Sequence, residues 1–284
     1  MVLHAGDLSY ADCYQPRWDS YGRMCDPLSS QVAWMTVGGN HEIEDPGVCG
    51  ASLKTTFVAY NSRYGSLMPH AESASPSTQF YSFELAGVHI LMLGSYVMDE
   101  VPDVDAMAAQ LKWLKADLAT VDRSRTPWLV GVLHAPWYNS NFVHQHEKEE
   151  YELLKAMEQM LYDARLDVMF AGHVHAYERS HRVFQSKTDK CAPVYVNIGD
   201  GGNREGLARH WQLVQPSWSA YREAAFGHGI LSIQNHTHVK WTWHRDENAE
   251  RVVSDEVWLA KDPSCATAPL PAAASDELVV ESAP

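Results

Sequence analysis

The most constraining feature of this sequence is a recurring arrangement, in which a short apolar run stops at a glycine or polar residue and side chains able to hold a metal follow at once. The clearest case is Val168-Met169-Phe170 ahead of Ala171-Gly172-His173-Val174-His175-Ala176-Tyr177-Glu178-Arg179. An apolar run closed by glycine reads as a buried strand emptying into a loop, and in open α/β sheets ligands sit at such strand ends. Residues two apart in extended chain point to the same side, so His173 and His175 can address one small volume. By itself a His-x-His pair fixes only two ligands and also arises by accident, so its meaning depends on what converges with it.

Three further runs converge. Val2-Leu3-His4-Ala5 precedes Gly6-Asp7-Leu8-Ser9-Tyr10, which places Asp7 at a strand's C-terminal end and Tyr10 in the loop beyond. A carboxylate can bridge two cations, and a phenolate is a hard anionic donor suited to a trivalent ion; Asp7 as the cap of a following helix is the alternative. Val32 to Val37 empties into Gly38-Gly39-Asn40-His41-Glu42, where two glycines let the backbone turn sharply, although Gly-Gly-Asn is also a good plain turn. Trp128 to Leu133 delivers His134, followed by Ala135-Pro136-Trp137-Tyr138-Asn139. Carboxylate, phenolate, amide and imidazole together suit two hard or borderline cations, not a thiolate zinc site. Two ions about 4 Å apart would clamp the oxygens of a phosphate and activate a water for in-line attack.

Between these runs the periodicity predicts a helix ending near Ser30, a loop-rich stretch over 46–76, and a hairpin of 79–84 with 88–93 about Leu85-Ala86-Gly87. Met107, Leu111, Leu114, Leu118 and Val121 have helical spacing within 105–121. Leu153, Leu154, Met157 and Leu161 give a second helix, ending near Ala164, its buried face, with Glu149 and Glu150 read as a solvated first turn. After Arg182 the pattern turns to strands: 193–198 ending in Gly199-Asp200-Gly201-Gly202, and a hairpin of 229–233 with 238–243. From Pro263 onward Pro, Ala, Ser and acidic residues predict a disordered tail.

A formal net charge of −14 argues against nucleic acid or an anionic membrane as the main partner. An anionic substrate would then need local positive charge, which bound metal supplies. No apolar run approaches the roughly 18 residues of a membrane span. Met1 is followed at once by a strand-like run, so the sequence reads as lacking a leader peptide and as a fragment of a longer gene product. Cys13, Cys25, Cys49, Cys191 and Cys265 lie far apart; disulfides and scattered buried thiols both fit, and the odd count leaves one over. Asn235-His236-Thr237 is a glycosylation acceptor by sequence.

With Gly6-Asp7-Leu8-Ser9-Tyr10, Gly39-Asn40-His41-Glu42, Val132-Leu133-His134 and Gly172-His173-Val174-His175, the chain resembles the metallophosphoesterase superfamily, and more narrowly the plant-type purple acid phosphatases. The similarity extends to Pro136-Trp137-Tyr138-Asn139-Ser140, Ile198-Gly199-Asp200-Gly201-Gly202-Asn203 and Phe226-Gly227-His228-Gly229, and runs from residue 1 to about 262. The resemblance implies an α/β/β/α sandwich of two mixed sheets flanked by helices, with a catalytic core over 1–185 and a β-rich part of the same domain over 186–262. It implies that Tyr10, His175 and a bridging Asp7 hold Fe(III), while Asn40, His134 and His173, with Asp7, hold divalent zinc, manganese or iron. His41 is then a proton donor or phosphate ligand, and His144 and Glu147 match the substrate-side residues.

Some members carry two adjacent histidines where this chain has Val143 before His144, which makes His146 a candidate replacement. The family's Asp-x-Gly motif, which supplies a further aspartate to the iron, has no counterpart ahead of Asp7, so three protein ligands are expected there instead of four. Gly199-Asp200-Gly201-Gly202 is not a substitute, because the family has its own glycine-rich loop at that place. The amino-terminal β-sandwich of long plant-type members is also missing. The activity implied is hydrolysis of phosphate monoesters; the alternatives are a truncated chain that binds metal and phosphate weakly, and a diesterase or nucleotidase, against which Tyr10 counts. By resemblance the partners are small phosphorylated substrates, a homodimer stays open, and the location is extracellular or vacuolar.

Overall fold

The computed structural model describes residues 1–50, 55–97, 106–248 and 252–265, apart from the side chains of Glu149 and Glu150. In chain order its elements are β1 (Val2–His4), α1 (Pro16–Ser29), β2 (Trp34–Thr36), the short helices α2 (Pro46–Cys49) and α3 (Val58–Tyr60), β3 (Tyr81–Leu85), β4 (Val88–Met92) and α4 (Ala106–Leu118). Then follow β5 (Trp128–Val132), α5 (Lys148–Asp163), β6 (Val168–Ala171), β7 (Tyr177–Phe184), β8 (Lys187–Thr188), β9 (Val194–Ile198) and β10 (Ser219–Glu223). Three antiparallel strands end the series: β11 (Gly227–Ile233), β12 (His238–Arg245) and β13 (Asp255–Ala260).

The main sheet has the order β10-β7-β9-β6-β5-β4-β3, with β8 beside β7. Its centre, β4, β5, β6 and β9, is parallel, and antiparallel strands flank it. Central parallel strands are covered on both faces, which is why β4, β5 and β6 are buried at every residue and apolar except for His89, whose ring is paired with Asp117. On one face Trp113, Leu114 and Leu118 of α4 and Leu153, Met157 and Leu161 of α5 pack against Leu91, Leu129 and Met169. On the other face Val239, Trp241, Trp243 and Leu259 of the β11-β12-β13 sheet cover Ile90, Val130, Phe170 and Val196. The parallel pair β1-β2 lies in that second layer, since Leu3, Met35 and Val37 join the same core. Outside it, Trp18 and Tyr21 of α1 pack with Leu8, Phe57 and Tyr60. The result is the α/β/β/α sandwich expected from the sequence.

The predicted hairpin is β3-β4, turning on Ala86 and Gly87, both at positive φ (50° and 78°), the geometry a two-residue turn between antiparallel strands favours. Four strands escaped prediction: β7, the two-residue β8, β10 and β13. The sequence of β10, Ser-Ala-Tyr-Arg-Glu, carries little apolar signal, and its place is set by pairing with β7. The loop-rich stretch contains α2, α3 and a π-helical turn over Asn61–Gly65. Cys13 pairs with Cys49 and Cys191 with Cys265, leaving Cys25 free. The second bridge, with a turn on Asp262, holds the start of the predicted tail, which beyond Cys265 lies outside the described residues. Among the described residues no helix is long and apolar enough to cross a membrane.

Candidate metal centre

The loops after β1, β2, β5 and β6 meet at one end of the sandwich. Two glycines permit the approach: a Cβ on Gly39 would overlap the Asp7 carboxylate, and one on Gly172 would overlap the Ala5 carbonyl. Asp7, Tyr10, His144 and His173 all take positive φ, between 50° and 67°, a strained region for residues with side chains that recurs at functional sites.

His134 stands at the middle. Its Nδ1 faces the Ala5 carbonyl at 2.6 Å; a carbonyl only accepts, so Nδ1 carries the hydrogen and Nε2 turns inward. Around Nε2 lie Asn40 Oδ1 at 3.1 Å, His173 Nδ1 at 3.2 Å and Asp7 Oδ2 at 3.2 Å. His173 points Nε2 at the Glu147 carboxylate, 2.8 Å away, so its Nδ1 is the bare nitrogen of the neutral ring. Four lone-pair atoms therefore face one another. A single proton can be shared with one neighbour, whereas a cation would serve all four, and this donor chemistry fits a metal. The ligand atoms of Asp7, His134 and His173 lie within 4.8 Å of one another.

The electrostatics agree. Burial works against the Asp7 charge, yet His134 beside it holds the carboxyl well below the ordinary range. Burial pulls the His134 ring down, and Asp7 outweighs it, so that the net shift is upward. Burial pushes His173 down to about 4, keeping it neutral.

A second group adjoins the first. His175 Nδ1 faces the Gly206 carbonyl at 3.1 Å, which leaves Nε2 to accept from the Tyr10 hydroxyl at 2.9 Å. Tyr10 Oη is also 3.4 Å from Asp7 Oδ2, so Asp7 touches both groups. Burial first and Asp7 second push the Tyr10 phenol upward, so its ionisation requires a strong positive charge nearby.

The structure thus brings together Asp7, Tyr10, Asn40, His134, His173 and His175. His41 lies beside them: its N–H donates to Asp7 Oδ1 (3.2 Å), its ring lies 4.2 Å from that of Tyr10, and its Nδ1 donates to Asp12 at 2.5 Å. His144 stacks against His173, ring centres 3.8 Å apart, and bonds Glu147 at 2.6 Å. His146 is exposed and belongs to neither ligand cluster among the described residues. Asp200 is not part of the site: its Oδ2 accepts from the Trp243 indole at 2.7 Å, tying the end of β9 to β12.

Sequence reasoning gave no role to Glu42. Fully buried, it accepts the N–H groups of Asp7 (2.8 Å), Leu8 (2.9 Å) and Gly39 (2.9 Å), and so locks the β1 loop to the β2 loop. The signal was present in Gly39-Asn40-His41-Glu42, since a glutamate three residues into a turn reaches back to the turn's first N–H. Glu178 does the same elsewhere, accepting from Ser140 N, Ser140 Oγ and Ser219 Oγ at 2.8, 2.5 and 2.6 Å.

With four strand-end loops, a bridging carboxylate and imidazoles held by carbonyls and carboxylates, the chain belongs to the calcineurin-like phosphoesterase family, whose model matches residues 1–177. Residues 192–256 match a second model, "Iron/zinc purple acid phosphatase-like protein C". The chain is 52% identical over 263 residues to a probable purple acid phosphatase 20 of Arabidopsis thaliana, covering 92% of this chain and 59% of the relative. It is likewise 52% identical to purple acid phosphatase 18 of the same plant, over 90% of this chain and 56% of the relative. The chain therefore spans about half the length of the curated relatives it matches. A solved purple acid phosphatase from yellow lupin (Lupinus luteus) seeds shares the fold, with a TM-score of 0.75 at 22% identity, over 99% of this chain and 50% of that one.

Proposed function

We propose that the site holds a binuclear centre, with Fe(III) at Tyr10, His175 and Asp7 and divalent zinc, manganese or iron at Asp7, Asn40, His134 and His173, and that it hydrolyses phosphate monoesters. The observation that carries this reading is the set of lone-pair atoms around His134 Nε2, adjoining the Tyr10–His175 pair through Asp7. Once bound, the ions supply positive charge and Lewis acidity toward phosphate, which this acidic chain otherwise lacks.

The protein groups do the rest. Asp7, whose carboxylate touches both groups of donors, would be shared between the two ions, and Glu42 fixes its backbone by accepting its N–H. Asn40 presents an amide oxygen to the centre, and His41 follows it in the same loop, its ring oriented by Asp12. His144, held through Nδ1 by Glu147, would deliver a proton from Nε2 to the departing oxygen in its doubly protonated, imidazolium form and return to the Nδ1–H ring, with His41 as the second candidate donor. The substrates are small phosphorylated molecules. The two disulfides support an oxidising location, extracellular or vacuolar.

The test is metal analysis of the purified chain together with rates on a phosphate monoester and the matching diester. Close to one iron and one divalent ion per chain, with hydrolysis of the monoester favoured, is the expected result. One ion or fewer, with no hydrolysis, overturns the reading; a preference for the diester moves it to the diesterase class.

A further inference from the structure

We infer that Glu147 is a positioning residue of the metal centre, one carboxylate that fixes the tautomers of a ligand histidine, His173, and of the proton-donating His144 at once. The inference rests on the proposed binuclear centre for its functional meaning, but its structural content stands without any ion.

Glu147 occupies the N-cap position of α5, where a carboxylate ordinarily accepts an N–H of the first helical turn. Its side chain makes no such bond. It turns instead to the histidines: Oε2 lies 2.8 Å from His173 Nε2 and Oε1 2.6 Å from His144 Nδ1. Both rings must present a hydrogen, because an ionised carboxylate only accepts. For His173 this leaves Nδ1 bare and facing His134 Nε2 at 3.2 Å, inside the ligand cluster. For His144 it leaves Nε2 turned away from Glu147, bare in the neutral ring and carrying a proton for a leaving group once the ring is imidazolium. The two rings lie 3.8 Å apart, inclined by 36°, side by side on the one carboxylate.

A carboxylate behind a metal-bound imidazole holds the ring and raises its basicity, and removing such a partner typically weakens metal binding about 10–100-fold. Glu147 therefore acts on the divalent ion through His173, whereas a residue that merely contacted substrate would act on phosphate alone.

Zinc dissociation constants measured by chelator competition, on wild type, Glu147→Ala and His144→Ala, separate these roles. A rise of about 10–100-fold for Glu147→Ala, with His144→Ala within about twofold of wild type, is expected. Unchanged zinc affinity in Glu147→Ala, with only the binding of inorganic phosphate weakened, overturns the proposal. In parallel, ¹⁵N spectra of the metal-free protein labelled at histidine should show His173 protonated at Nε2 in wild type and a mixture of tautomers in Glu147→Ala. His173 protonated at Nδ1 in wild type would overturn the proposal even if zinc binds. A wild type that shows the Nε2–H tautomer but binds no zinc would instead count against the metal centre and leave Glu147's hold on the rings intact. Glu147→Gln guards against a folding defect, since its amide offers one acceptor for two rings and so cannot satisfy both tautomers; wild-type tautomers and zinc affinity in that variant would overturn the proposal.

Discussion

Asp7, Tyr10 and Asn40 stand on a two-stranded sheet, whereas His134, His173 and His175 stand at the centre of the main sheet. The second group inherits its position from the ladder: β6 is bonded to β5 on one side and β9 on the other. Among the described residues β1 pairs with β2 alone, over three residues. Side chains supply what the ladder does not. Glu42 gathers three backbone N–H groups, Glu44 accepts from Cys13 N, the Gln15 amide and the Trp18 indole, and Cys13–Cys49 closes the loop covalently. The geometry of a site can thus be fixed by a sheet or by buried acceptors, and the second way concentrates the stability of half a site in a few atoms.

The largest effect should come from Glu42→Ala. Three buried N–H donors would lose their acceptor, at about 1–3 kcal/mol each, for a loss of about 5 kcal/mol in stability by denaturant titration. Glu178→Ala removes a comparable set of bonds beside β7, which is paired on both sides; two of its three donors are hydroxyls free to turn elsewhere, so a loss of about 3 kcal/mol is expected. Equal losses would break the contrast between the two halves.

Next, the double variant Cys13→Ser with Cys49→Ser opens a loop of sequence separation 36, for which loss of the crosslink corresponds to about 3–4 kcal/mol. The expected signature is selective: iron content should fall before zinc content, because Tyr10 lies three residues from Cys13. Parallel loss of both metals would show that the β1 loop is held mainly by Glu42.

The pH dependence of the metal-free protein separates the halves further. Burial holds His4 and His173 each at about 4, against 6.5 in the unfolded chain. The unfolded state binds these protons first as pH falls, so stability is whole above pH 6.5 and drains toward 4, by about 3 kcal/mol per ring. Glu42 moves the other way. Burial, reinforced by the Asp7 charge, pushes it up to about 7, so its contribution is whole below pH 4.5 and drains as pH rises to 7. The acid limb then belongs to both halves, whereas Glu42 of the β1-β2 half shares the alkaline limb with two main-sheet groups, Asp200, which burial pushes up to about 7, and His134, which Asp7 holds up. Thermal unfolding across pH 4–8 should show both limbs in wild type and an alkaline limb that Glu42→Gln flattens in part from the β1-β2 side and Asp200→Asn in part from the main sheet; an alkaline limb of unchanged slope in Glu42→Gln would assign it to the main sheet.

How far these features were legible follows from their chemistry. The strands β5 and β6 announce themselves because burial on both faces demands apolar runs, and most of the ligands because they follow such a run within a few residues. Strand β10 was hidden since its partners, not its composition, make it a strand. The carboxylates that hold the site were hidden for a related reason: Glu147 and Glu178 look like any surface glutamate in sequence, Glu42 betrays only a turn, and the convergence of N–H groups, hydroxyls or imidazoles on each one shows its task. Glu147 was read from resemblance as a substrate-side group, and its bonds to His144 and His173 became visible only once α5 and the β6 loop were placed together.

The smallest expected effect tests a lookalike. Asp200, in Gly199-Asp200-Gly201-Gly202, repeats the pattern of a strand end followed by glycine and a carboxylate, yet its partner is Trp243. Burial pushes its pKa up to about 7, so a neutral replacement suits the pocket. Asp200→Asn keeps an oxygen for the indole N–H, and the loss in stability should stay within about 1 kcal/mol. Metal content should not change at all. A drop in iron on this substitution would bring the β9 loop into the metal centre and place three loops, not two, around the Tyr10 side of the site.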